Sequence, residues 1–147
     1  MGSDVTRAGV IAVARQWIGT PYHHQASRRG VGCDCLGLVR GVWRDVYGCD
    51  PERPPNYTRD WAEAGAAETL LEAAERHLEA RDRSSLLAGR VAVFRFRKGA
   101  PAKHLGIVTV DGRMVHAMEG LAVAEVVIVP WWQRRIAGVF DFPGLVG

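Results

Sequence analysis

One change of hydrophobic period divides the chain and leaves it few folds. Up to about Arg83 the apolar residues recur at helical spacing; from Arg90 onward they alternate, or run continuously, in short segments bounded by Gly, Pro and Asp. Helices first and short strands second specify an α+β domain, with the helices gathered on one side of a mainly antiparallel sheet. The 147 residues, 48% hydrophobic and 24% charged, are enough for one buried core, so residues 1–147 are expected to form a single domain. No run reaches the ~18 apolar residues of a membrane span, and no basic stretch leads into an apolar block with a cleavage site. The expectation is a chain without a membrane span, made in the cytoplasm without a signal peptide and not exporting itself.

Within the first half, Val10, Ile11, Ala14, Trp17 and Ile18 mark a helix with Asp4 or Thr6 as N-cap, and Gly19-Thr20-Pro21 stops it. A loop from Tyr22 to Gly32 follows. The spacing predicts a second helix from about Asp34 to Tyr47, apolar on more than half its circumference and therefore central. Gly37 and Gly41 lie on one side of it and permit close approach of another element. After the Pro-rich stretch 48–57, an Ala- and Glu-rich helix is expected from Asp60 to about Arg81, with Leu70, Leu71, Ala74 and Leu78 inward. Five strands are expected thereafter, at Arg90–Arg97, His104–Val110, Arg113–Met118, Ala122–Val129 and Ile136–Phe142, in meander order.

Gly32-Cys33-Asp34-Cys35-Leu36-Gly37-Leu38-Val39 carries the chemistry. Placed at the start of a helix, the Cys35 sulfur meets unpaired backbone N–H groups and the positive end of the macrodipole. Both favour thiolate, and helix starts lower a thiol pKa from ~8.5 by roughly 1 to 5 units. Asp34 reads as the N-cap, its carboxylate turned toward backbone amides. Three cysteines, an odd number, argue against a disulfide framework, and Cys33 and Cys35 are too close for an unstrained bridge.

A nucleophilic thiol needs a base, and the base needs an orienting group. His104 opens one strand and His116 lies 12 residues on, in the strand it pairs with. A strict two-residue turn at Asp111-Gly112 would put His116 opposite Ile107 and the imidazoles on opposite faces. A three-residue loop Val110-Asp111-Gly112, a type I turn with Gly112 left-handed in a G1 bulge, puts Gly106 opposite His116 and both rings on one face. The longer loop is the expectation; the competing reading makes one histidine a structural group.

With these residues in hand, the chain resembles the NlpC-like cysteine peptidases, papain-related bacterial cell-wall hydrolases. The matching segments are Gly19-Thr20-Pro21-Tyr22, Asp34-Cys35-Leu36-Gly37-Leu38-Val39, His104-Leu105-Gly106-Ile107-Val108 and Val115-His116-Ala117. Asp60-Trp61, Phe94-Arg95 and Lys103-His104 look most like the small peptidases encoded with phage-tail or gene-transfer-agent genes. The resemblance implies a papain-like fold and a Cys35, His104, His116 triad. In it Cys35 attacks the amide carbonyl, His104 holds the thiolate as an ion pair and protonates the leaving amine, and His116 fixes the tautomer of His104. It also implies an oxyanion site at the Cys35 backbone N–H with the Tyr22 hydroxyl nearby; the alternative for Tyr22 is a packing aromatic. The implied substrate is a peptidoglycan stem peptide, cut at a D-glutamyl–diamino acid bond, with delivery to the periplasm in a phage-like particle and no cofactor.

Two departures stand out. Leu36 replaces the serine usual after the nucleophile, and Gly89-Arg90 stands where the family commonly opens its first strand with Gly-Asp.

Three other readings compete. A zinc set drawn from Cys33, Cys35, Cys49, His23, His24, His104 and His116 lacks the second paired knuckle of a structural site. A nucleic-acid module is disfavoured because the arginines do not cluster on one element with interleaved aromatics but spread along the chain, although the mild +3 charge suggests an anionic surface or polymer as partner. The third is a non-enzymatic tail component that keeps the fold, docking to a phage tail or tail-hub protein through Trp131, Trp132, Arg134 and Arg135, with core packing of one tryptophan as the alternative.

Overall fold

Thr6 sets where the first helix begins. In the computed structural model, which describes residues 4–51 and 68–147, its Oγ1 accepts the Gly9 N–H at 2.9 Å. That cap starts α1 (Arg7–Gln16), which follows β1 (Val5–Thr6). Val10, Ala14 and Trp17 are buried, but Ile18, expected inward, is 45% exposed because the helix has already ended. Short strands β2 (Ser27–Arg28) and β3 (Gly32–Cys33) pair and lead into α2 (Cys35–Tyr47). Asp34 caps α2 through a 2.7 Å bond from the Gly37 N–H, and left-handed Gly48 closes it.

The two glycines of α2 are there for contact. A Cβ at Gly37 would lie 1.8 Å from the Ala26 carbonyl oxygen, and one at Gly41 would lie 2.1 Å from the Trp17 indole. The loop before the cysteine and the first helix are thus both pressed onto α2.

The expected third helix is shorter. Its segment 60–67 lies outside the described residues; α3 spans Thr69–His77, and Glu79–Arg81, expected as its last turn, is a strand, β4. Pairing with a neighbouring strand outweighs the helical propensity of Glu-Ala-Arg there. The strands β5 (Val91–Phe94), β6 (His104–Val108), β7 (Arg113–His116), β8 (Ala124–Val127) and β9 (Ile136–Asp141) complete the main sheet. It therefore has six strands rather than five, all antiparallel, in the order β4-β9-β5-β6-β7-β8. The meander holds from β5 to β8. After α4 (Pro130–Gln133), β9 crosses to the far side and pairs with both β5 and β4. β10 (Leu145–Val146) then pairs in parallel with β1.

The sheet has two covered faces. Val91, Val93, Leu105, Ile107 and Val115 pack with α1, α2 and α3 in the main core. Ala92, Phe94, Val108 and Met114 form a smaller core on the other face with Ile128 and Trp132. A three-armed ion cluster ties the sheet to α1: buried Asp141 accepts from Arg7 at 3.0 Å, Arg90 at 3.0 Å and Arg81 at 2.9 Å. These arginines come from three distant parts of the sequence, so its periodicity gives no sign of the cluster.

The β6–β7 register is the one expected, with Gly106 opposite His116 and Val108 opposite Met114. The turn that sets it differs inside. Asp111 (φ 56°) and Gly112 (φ 70°) are both left-handed, the signs of a type I′ rather than a type I turn. Thr109 bonds Arg113 across the strands at 2.8 Å, which leaves Val110 as the extra residue of the three-residue loop.

Candidate active site

Cys35 is the first residue of α2 and half-buried. Its Sγ donates to the Lys103 carbonyl at 3.7 Å and accepts from the backbone N–H groups of Leu105, Leu36 and Cys35 itself. The sulfur therefore lies against the first residues of β6, between the peptide groups that flank His104. Asp34 is turned as expected: its carboxylate accepts from Gly37 N at 2.7 Å and Gln25 N at 2.8 Å.

His104 and His116 both project from the face of the smaller core, because His104 pairs with Phe94 and His116 with Gly106. His104 Nε2 and His116 Nδ1 are 2.9 Å apart. With Nε2 so engaged, Nδ1 is the nitrogen of His104 left to serve a thiol. Cys35, His104 and Tyr22 line one cavity of about 220 Å³, together with His24, Lys103 and Glu119, while His116 stands behind His104.

The His104 ring packs against two aromatic rings, Trp132 (centroids 5.1 Å, planes 24° apart) and Phe96 (5.6 Å, 27°), which also meet each other at 6.0 Å. Trp132 also meets His116 edge-on at 5.5 Å. Sequence reasoning missed this aromatic cluster. Phe96 shares its strand parity with Phe94, which gave a signal, whereas nothing in the sequence links Trp132 to residue 104. Of the four residues expected as a docking patch, Trp132 packs on His104, as the core-packing alternative has it for one tryptophan, while Trp131 is 41% exposed. Arg135 lies 3.8 Å over the Trp131 ring and bonds the Trp131 and Phe96 carbonyls.

The electrostatics reverse one expectation. The Cys35 thiol is pushed up to about 12, first by burial and then by the Asp34 charge, against the pull of three backbone N–H groups. Burial lowers His104 to about 3, with His116 beside it adding to the effect, and lowers His116 to about 4. Burial thus favours a neutral thiol and neutral imidazoles over a preformed ion pair. The helix start is present, but desolvation outweighs it. Among the described residues, no three His, Cys, Asp or Glu side chains come together as a metal set. No helix there is long and apolar enough to cross a membrane.

The sequence profile described as the NlpC/P60 family matches residues 19–140. The chain is 29% identical over 135 residues to the probable endopeptidase NlpC of Escherichia coli strain K12, covering 87% of this chain and 76% of that protein. Its fold matches an NlpC/P60 family protein of Bacillus cereus ATCC 10987 with TM-score 0.69 and 19% identity, over 95% of this chain and 41% of that one. It also matches the NlpC/p60 domain of the peptidoglycan hydrolase SagA with TM-score 0.63 and 23% identity, over 94% of this chain and all of that domain. The chain thus spans about two-fifths of the Bacillus cereus protein and the whole of the SagA domain. The papain-like α+β architecture of these neighbours, and a profile match running from the loop before the nucleophile to β9, establish that the chain belongs to the NlpC/P60 family.

Proposed function

We propose that this chain is a cysteine peptidase that hydrolyses an amide bond in the stem peptides of peptidoglycan, with Cys35 as nucleophile, His104 as general base and His116 as the group that orients it. The observation that carries this reading is the His104–His116 contact in the wall of the cavity that holds Cys35. It is supported by two relatives, one named a probable endopeptidase and the other a peptidoglycan hydrolase.

The chemistry follows from the donors present. His116 Nδ1 accepts the His104 Nε2–H, leaving the Nδ1 lone pair of His104 to take the proton from the Cys35 thiol as sulfur bonds to the carbonyl carbon. Because both groups rest neutral, that transfer accompanies attack. The negative oxygen of the tetrahedral intermediate meets the Cys35 backbone N–H, with the Tyr22 hydroxyl as second donor; such a donor is worth about 3 kcal/mol. The imidazolium of His104 returns the proton to the leaving amine as the C–N bond breaks, and a thioester remains. Water then adds with His104 again as base, the C–S bond breaks, and the carboxylic acid leaves with the thiol restored.

The same reading, refined, makes the enzyme an endopeptidase for the D-glutamyl–diamino acid bond. It acts in the periplasm after delivery by a phage-tail or gene-transfer-agent particle. Support for the refinement lies in the sequence segments around Phe94-Arg95 and Lys103-His104.

Digestion of purified peptidoglycan, with new termini identified by mass spectrometry, tests the proposal. Release of stem fragments by the wild type, lost in Cys35→Ala at unchanged melting temperature, is expected. Equal release by the alanine variant removes the enzyme reading. A folded wild type that releases nothing favours a structural tail component that keeps the peptidase fold.

A further inference from the structure

Behind the aromatic wall of the cleft lies a second cavity of very different character. Arg83, Arg95, Arg97, Lys98, Arg134 and Arg135 line a basin of about 490 Å³. Six of the 19 basic residues of the chain meet there. Arg95 and Arg97 flank Phe96, whose ring faces His104, so cleft and basin lie on the two sides of the Phe96 segment.

The basin is built rather than incidental. Arg95 N–H bonds the Arg135 carbonyl at 2.8 Å, joining its two sides, and Gly99 with φ 80° turns the chain between them. The Arg95 guanidinium is held by the Ala100 carbonyl at 2.7 Å and by the Glu68 carboxylate. Arg135 is fixed over Trp131 and on two carbonyls, one of them Phe96 at 3.3 Å. Two guanidinium groups are thus preorganised, while Arg97, Lys98 and Arg134 form no ion pair among the described residues.

We propose that this basin binds a linear polymer of successive phosphate groups that carries no bases. Charge selects the class: with Arg95 paired to Glu68, a single carboxylate or one phosphate ion leaves most of the other five cations unneutralised, whereas successive phosphates along a chain match them. Guanidinium forks suit phosphate oxygens, and several Arg in one basin reward multivalent anions. Nucleic acid is disfavoured because no aromatic side chain lines the basin among the described residues, so a base would find no platform to stack on. Such a polymer would hold the domain on an anionic surface while the cleft on the other side of the wall stays open.

Binding of a fluorescently labelled short-chain polyphosphate, followed by anisotropy over a series of salt concentrations, tests this. The wild type should bind with an affinity that falls linearly on a log–log plot against salt, and Cys35→Ala should bind equally, which separates this site from the hydrolytic reading. The double variant Arg97→Glu, Arg134→Glu, which breaks no ion pair among the described residues, should lose roughly tenfold or more in affinity, whereas Arg113→Glu on β7 should change it by less than about twofold. Three results overturn the proposal. These are equal losses in the two variants, competition by orthophosphate at the same total phosphate concentration, and tighter binding of a charge-matched single-stranded oligonucleotide than of polyphosphate.

Discussion

His104 Nε2 sits 2.9 Å from His116 Nδ1, with the two rings 80° apart in plane. An acceptor in that place holds His104 in the tautomer that bares Nδ1. His116→Ala would leave a buried N–H without a partner and let the ring turn. The expected result is a fall in kcat of roughly 10²- to 10³-fold with little change in KM, and partial recovery in His116→Asn, whose amide oxygen can accept the same bond. If the asparagine variant does no better than alanine, the orienting role is wrong.

A neutral resting thiol has a signature in alkylation. With Cys35 pushed up to about 12 by burial, its reaction with iodoacetamide should climb with pH, about tenfold per unit between about 7 and 9. Exposed Cys49 supplies the comparison within the same molecule, and buried Cys33 should stay unlabelled until the chain unfolds. A Cys35 rate that is flat from pH 5 to 8, as followed by peptide mass spectrometry, would mean that the ion pair forms before substrate arrives.

Acid should loosen the fold in two separate stages. His104 and His116 have folded values far below the ordinary 6.5, so the unfolded chain binds more protons and stability is lost as pH falls below about 6.5, until the folded values near 3 and 4 are reached. Asp141 acts at lower pH. Burial alone would raise its carboxyl, but bonds from Arg7 and Arg90 hold it below its usual range, so its contribution disappears as pH drops through that range. Urea midpoints at pH 7.5, 5.5 and 4 should decline, and the step between 7.5 and 5.5 should shrink in His116→Gln.

Asp141→Ala removes one carboxylate and strands three guanidinium groups, of which Arg90 has only 8% of its side chain exposed. A loss of about 3–5 kcal/mol in chemical denaturation is expected, because a buried charge left without its partner costs more than the pair gains. A loss under ~1 kcal/mol would mean that solvent reaches the cluster.

Gly37→Ala should be among the most damaging small changes. The added methyl would stand 1.8 Å from the Ala26 carbonyl, which is backbone and accepts the Asp34 N–H at 3.2 Å. Relief requires moving the loop that carries Tyr22 away from Cys35. A cost of roughly 3 kcal/mol, or a Tm lower by about 10 °C, should accompany loss of activity.

The parts of the fold legible in the sequence are those fixed by local chemistry. Asp34 as cap, α2 as a central helix and the β6–β7 register all follow from residues within a dozen positions of one another. What escaped was decided by distant partners. Glu79–Arg81 reads as helix by propensity and becomes strand only because β9 arrives beside it. Trp132 reads as a surface anchor until α4 lays it on His104. The thiol reads as acidic from its helix start, and only the packing of β6 against it reveals that desolvation wins. Arg90 gives no sign in the sequence of its partner, Asp141, which lies 51 residues on.

The placement of β9 also bears on how the domain is made. A strand from the end of the chain lies between two strands that precede it by dozens of residues, so the sheet stays split into β5–β8 and an unpartnered β4 until residues 136–141 have been synthesised. The Asp141 cluster closes at the same moment. A nascent chain arrested before this point should remain sensitive to protease, with both edges of the gap open to pairing with other chains, and productive folding should set in as a single late event on the ribosome.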